Sequence, residues 1–277
     1  MAEAQVSSVK TIGRAALVLR ALAAGRADGS RLTDIAAATG LGKATVHRLL
    51  GALADVGFVS FDDQDKRYRL GYALFALGAS ARAFHVVDLA RPGLMRLAAG
   101  TGDTVYLSVR DGDEAICVDR CTGSFPIRTL TLDVGDRRPL GIGAGALALL
   151  AFESEAEIAR VIRTNADARR DYAAFDDSRL HTLITQARTQ GYAFNDGNIV
   201  SAMSAIGVPV IDEAGRVLAA LSIAAIRERF ADRRLTELVA LLQEEARELA
   251  TALAHAALGP DEPGARTRRT RIREDVA

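Results

Sequence analysis

Residues 41–59, "LGKATVHRLLGALADVGFV", place Val46, Leu49, Leu50 and Leu53 at the i, i+3, i+4, i+7 spacing that gathers apolar side chains on one face of an α-helix. That face is expected to be buried. Lys43, Thr45, His47 and Arg48 fall away from it, and all four are donors of the kind that meets phosphate oxygens or base edges. One helix therefore carries a core face and a face suited to a polar, anionic partner.

The flanking sequence explains what such a helix is for. "VKTIGRAALVLRALAA" (9–24) predicts a preceding helix with Ile12, Ala16, Leu19 and Ala23 towards a core, stopped by "GRADGS". "LTDIAAATG" predicts a second, shorter helix with Thr33 as N-cap and Gly40 as its stop. A short helix, a tight glycine-containing turn and a third helix are the helix-turn-helix arrangement, spanning about residues 32–51, whose second helix enters a DNA major groove. Two β-prone runs, Phe58–Phe61 and Arg67–Leu70, follow around an Asp-rich turn and predict a hairpin wing. Lys66 and Arg67, with Arg69 beside them, load the return strand with positive charge suited to the phosphate backbone.

At 277 residues, 49% of them hydrophobic, the chain has material for two domains. Its uncharged run "PLGIGAGALALLAF" is 14 residues, too short for a membrane-spanning helix, and its N-terminal apolar stretch is broken by Arg20 with no secretory cleavage pattern. A cytoplasmic protein with no membrane partner is expected. The net charge is zero, yet all three lysines, Lys10, Lys43 and Lys66, lie in a mildly basic head on an acidic body. Cys117 and Cys121 in "CVDRC" have no second Cys/His cluster to complete a metal site, and the histidines are scattered, so no metal or cofactor is expected and the thiols read as ordinary ones at a strand end. The chain has no G-x-S-x-G, H-E-x-x-H or P-loop pattern, and no catalytic residues are assigned.

Beyond Gly71, residues 72–84 predict a connecting helix, and 85–258 a second domain. "DTVYLSVRDGDEAICVDR" predicts two antiparallel strands about "RDGDE", and "IRTLTLDVG" a third. "PLGIGAGALALLAF" predicts a turn feeding a helix; further helices are expected around 155–164 and 176–190. Strands are expected in "AIGVPVID" and "VLAALSIAAI", and a closing helix from about Asp232 to Leu258. The fold class is α+β with an antiparallel sheet. The arginine-rich residues 259–277 predict a disordered tail.

"LTDIAAATGLGKATVHRLLGALADVGFV", then "YRLG", then "GDRRPLGIGAGALALLA" and "GYAFNDGNIVSAMSAIGVPVIDEAGRVLAALSI", in that order and spacing, resemble the IclR family of bacterial transcriptional regulators. The resemblance implies a winged helix-turn-helix (9–71), a linker helix (72–84) contributing to dimerisation, and a GAF-like effector-binding domain (85–258). It further implies a homodimer or dimer-of-dimers tetramer that binds double-stranded operator DNA and controls catabolic or transport genes. A short DNA half-site independently favours a dimer.

The glycines of "PLGIGAGALALLA" lie just before the predicted helix and put backbone N–H groups of Ala144 and Gly145 where a carboxylate could bind. Gly141, Gly143 and Ala146 also match a dinucleotide fingerprint, but no buried strand precedes them and no acidic residue follows at the required distance, so nucleotide binding is not expected. The family resemblance places Asn195, Ala205, Ser222 and Ala224 where members that bind small oxo-acids carry Asp, Cys, Ser and Ser. Only Ser222 keeps that set, which disfavours an acid as small as glyoxylate and favours a larger, more apolar or aromatic acid. Arg128 offers a partner for a second carboxylate, or else a solvated surface charge. A constitutive DNA-binding oligomer with no small-molecule effector is the alternative, since packing alone could explain the glycines and Ser222.

Overall fold

The computed structural model describes residues 2–26, 28–80 and 85–258, and the chain divides into two compact units, Met1–Phe84 and His85–Ala277. The expected tail, 259–277, and the end of the connecting helix, 81–84, lie outside the described residues.

In the first unit, helices α1 (Ala2–Ala23), α2 (Leu32–Thr39) and α3 (Lys43–Asp55) precede the hairpin β1 (Val59–Asp62) and β2 (Arg67–Leu70), followed by α4 (Tyr72–Ser80). Val18, Leu22, Ile35, Val46, Leu49, Leu50, Leu53 and Val59 form its core. The core face of α1 is Ala15, Val18, Leu19 and Leu22; Ile12 and Ala23, expected inside, are exposed. The buried face runs through Val18 and Leu22, one residue before the expected Leu19 and Ala23, and the core it joins begins only at Ala15, so Ile12 has nothing to pack against. Thr33 is not the N-cap of α2 either. Arg31 holds that position, and its amide donates to the Asp34 carboxylate at 3.2 Å, which satisfies the chain turn without a Thr33 hydroxyl. The wing pairs antiparallel with Val59 opposite Leu70 and Phe61 opposite Tyr68, and the Phe61 and Tyr68 rings stack at 4.6 Å between centroids.

The second unit contains α5 (His85–Thr101), β3 (Thr104–Asp111), β4 (Glu114–Thr122), β5 (Arg137–Pro139), α6 (Ala144–Ala151), α7 (Glu155–Thr164), α8 (Asp177–Gln190), β6 (Ala193–Asp196), β7 (Met203–Ile211), β8 (Val217–Ile226) and α9 (Asp232–Leu258). Its six strands form one antiparallel sheet in the order β5-β4-β3-β8-β7-β6. Val105, Leu107, Ile206, Val208, Leu221 and Ile223 bury one face under α5 and α9, while α6, α7 and α8 cover part of the other with Leu147, Leu150, Ile158 and Leu180. Both faces of β8 are therefore covered, which is why "VLAALSIAAI" is a continuous apolar run without alternation.

"IRTLTLDVG" is not a strand. Residues 123–136 form a loop whose carbonyls are taken by side chains: Thr129 O accepts from Tyr106 Oη, Thr131 O from Arg138 at 2.8 Å and Leu132 O from Arg120 at 2.7 Å. With those acceptors engaged, the strand pairing passes to the three residues of β5 instead. The short edge strand β6 was not anticipated, because four residues give too little alternation to read.

The loop is anchored at its start by a buried carboxylate. Asp103, 1% exposed in its side chain, accepts from Arg229 Nε and from an Arg234 terminal nitrogen, each at 2.6 Å. Both arginines also donate to Thr101 O at 2.9 Å, and the Arg229 guanidinium lies 3.8 Å from the Phe125 ring centre. One carboxylate thus ties the end of α5, the start of β3, the first turn of α9 and the loop together.

Candidate DNA face and ligand cavity

On α3, the four buried apolar residues fix the helix against α1 and α2, so the opposite face is set by default. Lys43, His47 and Arg48 are exposed and Thr45 is half-buried beside them. None of the four side chains makes a hydrogen bond or ion pair among the described residues, which leaves their side-chain donors free for a partner. The wing differs. Lys66 pairs with Asp63 at 2.5 Å and lies over the Phe61 ring. Arg67 turns inward, donating to Gly29 O at 2.6 Å and standing 3.7 Å from Asp28, while Arg69 pairs with Asp62 at 2.9 Å. The wing arginines brace the hairpin against the loop before α2; among the wing cations, Lys66 is the more exposed.

In the second unit, the sheet face left open between the loop and α6 is read directly from the strand register. Residues directly opposite share a face, and two neighbouring rows lie side by side on it, Tyr106–Ser222–Gly207 across β3, β8 and β7 and Ala224–Ala205–Asn195 across β8, β7 and β6. Apart from Gly207, these residues, with Ser108, Cys117, Thr129, Arg138 and the first turn of α6, line a cavity. Its non-atom space is about 640 Å³ with the open entrance included, and the centre of a water molecule can move through about 50 Å³ of it. That is room for a small organic molecule.

Two glycines bring the first turn of α6 to this cavity. Gly143, just before the helix, has φ +86, a backbone conformation that side-chain-bearing residues avoid. On β7, a Cβ at Gly207 would lie 2.4 Å from the Ala144 carbonyl oxygen, so only glycine lets the strand pass under the helix start. The first-turn amides of α6 have no intrahelical acceptor and carry the positive end of the helix dipole.

All six residues singled out for a ligand, Ala144, Gly145, Asn195, Ala205, Ser222 and Ala224, line this one cavity. Arg128 does not; it is exposed on the loop, and Arg138 of β5 is the arginine that lines the cavity. Arg128 is thus the solvated surface charge of the two readings given for it, while Arg138 was not singled out because "GDRRP" looks like a solvated charged run. Tyr106 and Thr129 were missed as well, though the alternation of β3 pointed Tyr106 to the same face as Ser108. Burial raises the Tyr106 phenol above its ordinary pKa.

Cys117 also faces the cavity, and burial pushes its thiol up to about 12; burial raises Cys121 too. At pH 8 the Cys117 thiolate fraction is on the order of 10⁻⁴. Neither thiol of the folded protein is therefore expected to be alkylated by iodoacetamide within an hour at pH 8, whereas both react in denaturant. Mass spectrometry that finds native Cys117 modified on that timescale would contradict the buried, uncharged environment.

Comparison with known proteins finds relatives for both units. A model of the IclR helix-turn-helix domain matches residues 11–63, and one of the bacterial transcriptional regulator IclR C-terminal domain matches 78–251. The HTH-type transcriptional regulator KdgR of Escherichia coli is 29% identical over 91% of this chain and 95% of its own, and BhcR of Paracoccus denitrificans is 30% identical over 89% and 88%. Among solved structures, an IclR transcriptional regulator from Alicyclobacillus acidocaldarius superposes with a TM-score of 0.73 at 30% identity, covering 87% of this chain and 98% of that one. An IclR homologue from Microbacterium hydrocarbonoxydans, complexed with 4-hydroxybenzoate, gives 0.71 at 24% identity, covering 88% and 99%. No helix among the described residues is long and apolar enough to cross a membrane. These relatives are transcriptional regulators and not enzymes, and the two domain models between them match residues 11–63 and 78–251: the chain belongs to the IclR family of DNA-binding transcriptional regulators.

Proposed function

We propose that this regulator is ligand-responsive: a small carboxylic or aromatic acid binds the cavity of the C-terminal domain and changes how the heads engage operator DNA upstream of catabolic or transport genes, in the cytoplasm. The observation that carries this reading is the cavity itself, where the free amides of α6 and several unpaired polar side chains meet an otherwise apolar wall. A core that merely packs would not leave them unsatisfied. On the head, Lys43, Thr45, His47 and Arg48 are assigned to the major groove, with Lys66 and more weakly Arg67 on flanking phosphates. The exposed aromatic residues Tyr72 and Phe75 of α4 support a homodimer through that helix, with a tetramer as a dimer of dimers.

The test is a thermal-shift screen of aliphatic and monocyclic aromatic acids, with 4-hydroxybenzoate, the ligand of the Microbacterium relative, as the first probe. At a hundredfold excess over its Kd, a true effector adds roughly 2.7 kcal/mol, or about 5–10 °C in the Tm of a domain of this size. The same acid must then alter operator affinity, because control requires different affinities for two states. A screen with no stabilising acid, and no loss on blocking the cavity with Ala205→Leu, would leave a constitutive DNA-binding oligomer.

A further inference from the structure

Arg138 lines the cavity without a carboxylate partner. Its one protein hydrogen bond runs from a terminal nitrogen to Thr131 O at 2.8 Å, and no acidic side chain stands within ion-pairing distance among the described residues. Its other terminal nitrogen lies 3.2 Å from where a Cβ on Gly143 would stand, which sets the guanidinium beside the residue that opens α6. A fixed cation and the positive end of a helix thus converge on one spot. Such a pair is costly to keep together unless an anion joins it. Burial draws the Arg138 pKa below the usual arginine range, and the Asp136 carboxylate, beyond ion-pairing distance, opposes that shift only in part.

The remaining polar groups differ in kind. Asn195, on β6 at the edge of the sheet opposite to β5, is 6% exposed, its Oδ1 is buried without a partner, and its Nδ2 has none among the described residues. The Thr129 hydroxyl is also buried and unpartnered. Neutral donors and acceptors of this kind suit a hydroxyl, which both gives and takes a hydrogen bond. Asp136 lines the same cavity with an exposed carboxylate that accepts the Asp133 amide at 2.7 Å, and it repels any second negative charge. Resting on the effector-site reading above, we infer that the ligand is a monocarboxylate with a hydroxyl away from its acid group, the carboxylate anchored between Arg138 and the first amides of α6, and the hydroxyl taken by Asn195 or Thr129. Arg138 is then the residue that makes the site select an acid over a neutral molecule of the same shape.

The experiment uses the full chain and a panel of short aliphatic and single-ring compounds, each as the acid and as its primary amide, with and without a remote hydroxyl. Binding is measured by thermal shift and calorimetry on wild type, Arg138→Gln, Arg138→Lys and Ala205→Leu. Wild type is expected to prefer hydroxylated acids over their amides. Arg138→Gln is expected to weaken the acids about 10- to 100-fold, as for the loss of a charge-assisted hydrogen bond, and to leave the amides nearly unchanged. Arg138→Lys is expected to recover part of the preference, and Ala205→Leu to abolish binding of both forms.

Equal affinity of wild type for acids and amides, or acid binding untouched by Arg138→Gln while Ala205→Leu abolishes it, overturns the anion anchor and leaves the cavity as the effector site. Acid preference without preference for the hydroxyl overturns the second half of the ligand assignment. If no member of the panel binds, or binding survives Ala205→Leu, both this inference and the effector-site reading fall. Unaltered operator affinity of the ligand-free Arg138→Gln protein separates a binding defect from a folding defect.

Discussion

Arg48→Ala is expected to abolish discrimination between operator and scrambled DNA while the protein stays folded. Arg48 is exposed on α3, has no intramolecular partner among the described residues, and sits on the face opposite Val46, Leu49 and Leu50. Its removal therefore takes nothing from the core. A bidentate arginine contact to a guanine is worth about 1–3 kcal/mol of discrimination, or roughly 5- to 150-fold for each head that loses it. Affinity for scrambled DNA should change far less, because Lys43 and Lys66 still supply charge to the backbone. A salt titration of both duplexes checks this. Retained operator preference in Arg48→Ala would remove Arg48 from the groove and shift the assignment to Lys43, Thr45 or His47.

Asp103→Ala is expected to be the most damaging single change in the C-terminal domain outside its apolar core. Asp103 is buried, and its loss leaves Arg229 and Arg234 facing each other across Thr101 without a counter-charge. Removing one partner of a buried ion pair costs about 3–5 kcal/mol; Arg229 and Arg234 keep some contact with water, 18% and 36% exposed, so about 3 kcal/mol is expected. For a domain of this size that corresponds to a fall in Tm of roughly 6–12 °C. Calorimetry should show the loss in the C-terminal transition alone. A fall of less than about 2 °C would mean that the cluster contributes little to stability.

How far the sequence could be read depended on how local each signal was. The α3 stripe, the wing, β3 and β4 about their "DG" turn, and the long α9 are each specified by periodicity within the element, and each was legible. The errors fall where distant chain decides. Ile12 continues the apolar pattern of α1 yet is exposed, since nothing in the first unit's core reaches it. Residues 127–135 have strand-like composition, but Tyr106, Arg120 and Arg138 claim their carbonyls, and no short-range rule reports that. For the same reason Arg138 was not singled out as a cavity residue. The six residues assigned to the ligand do meet in one cavity: Ala144 and Gly145 follow from a helix start marked by glycines, whereas Asn195, Ala205, Ser222 and Ala224 came from the family resemblance and not from any local periodicity of β6 or β8.

The central claim is that a sequence-reading head is governed by a ligand held in the C-terminal cavity. Fluorescence anisotropy tests it most directly, using the DNA adjacent to the protein's own gene against a scrambled duplex, over a range of salt, with and without the strongest-binding acid from the screen. Tight binding to the first duplex, a steep salt dependence, and a shift in affinity with the acid that Ala205→Leu removes are the predicted result. Equal, weak binding to both duplexes, unchanged by any acid that occupies the cavity, would contradict it.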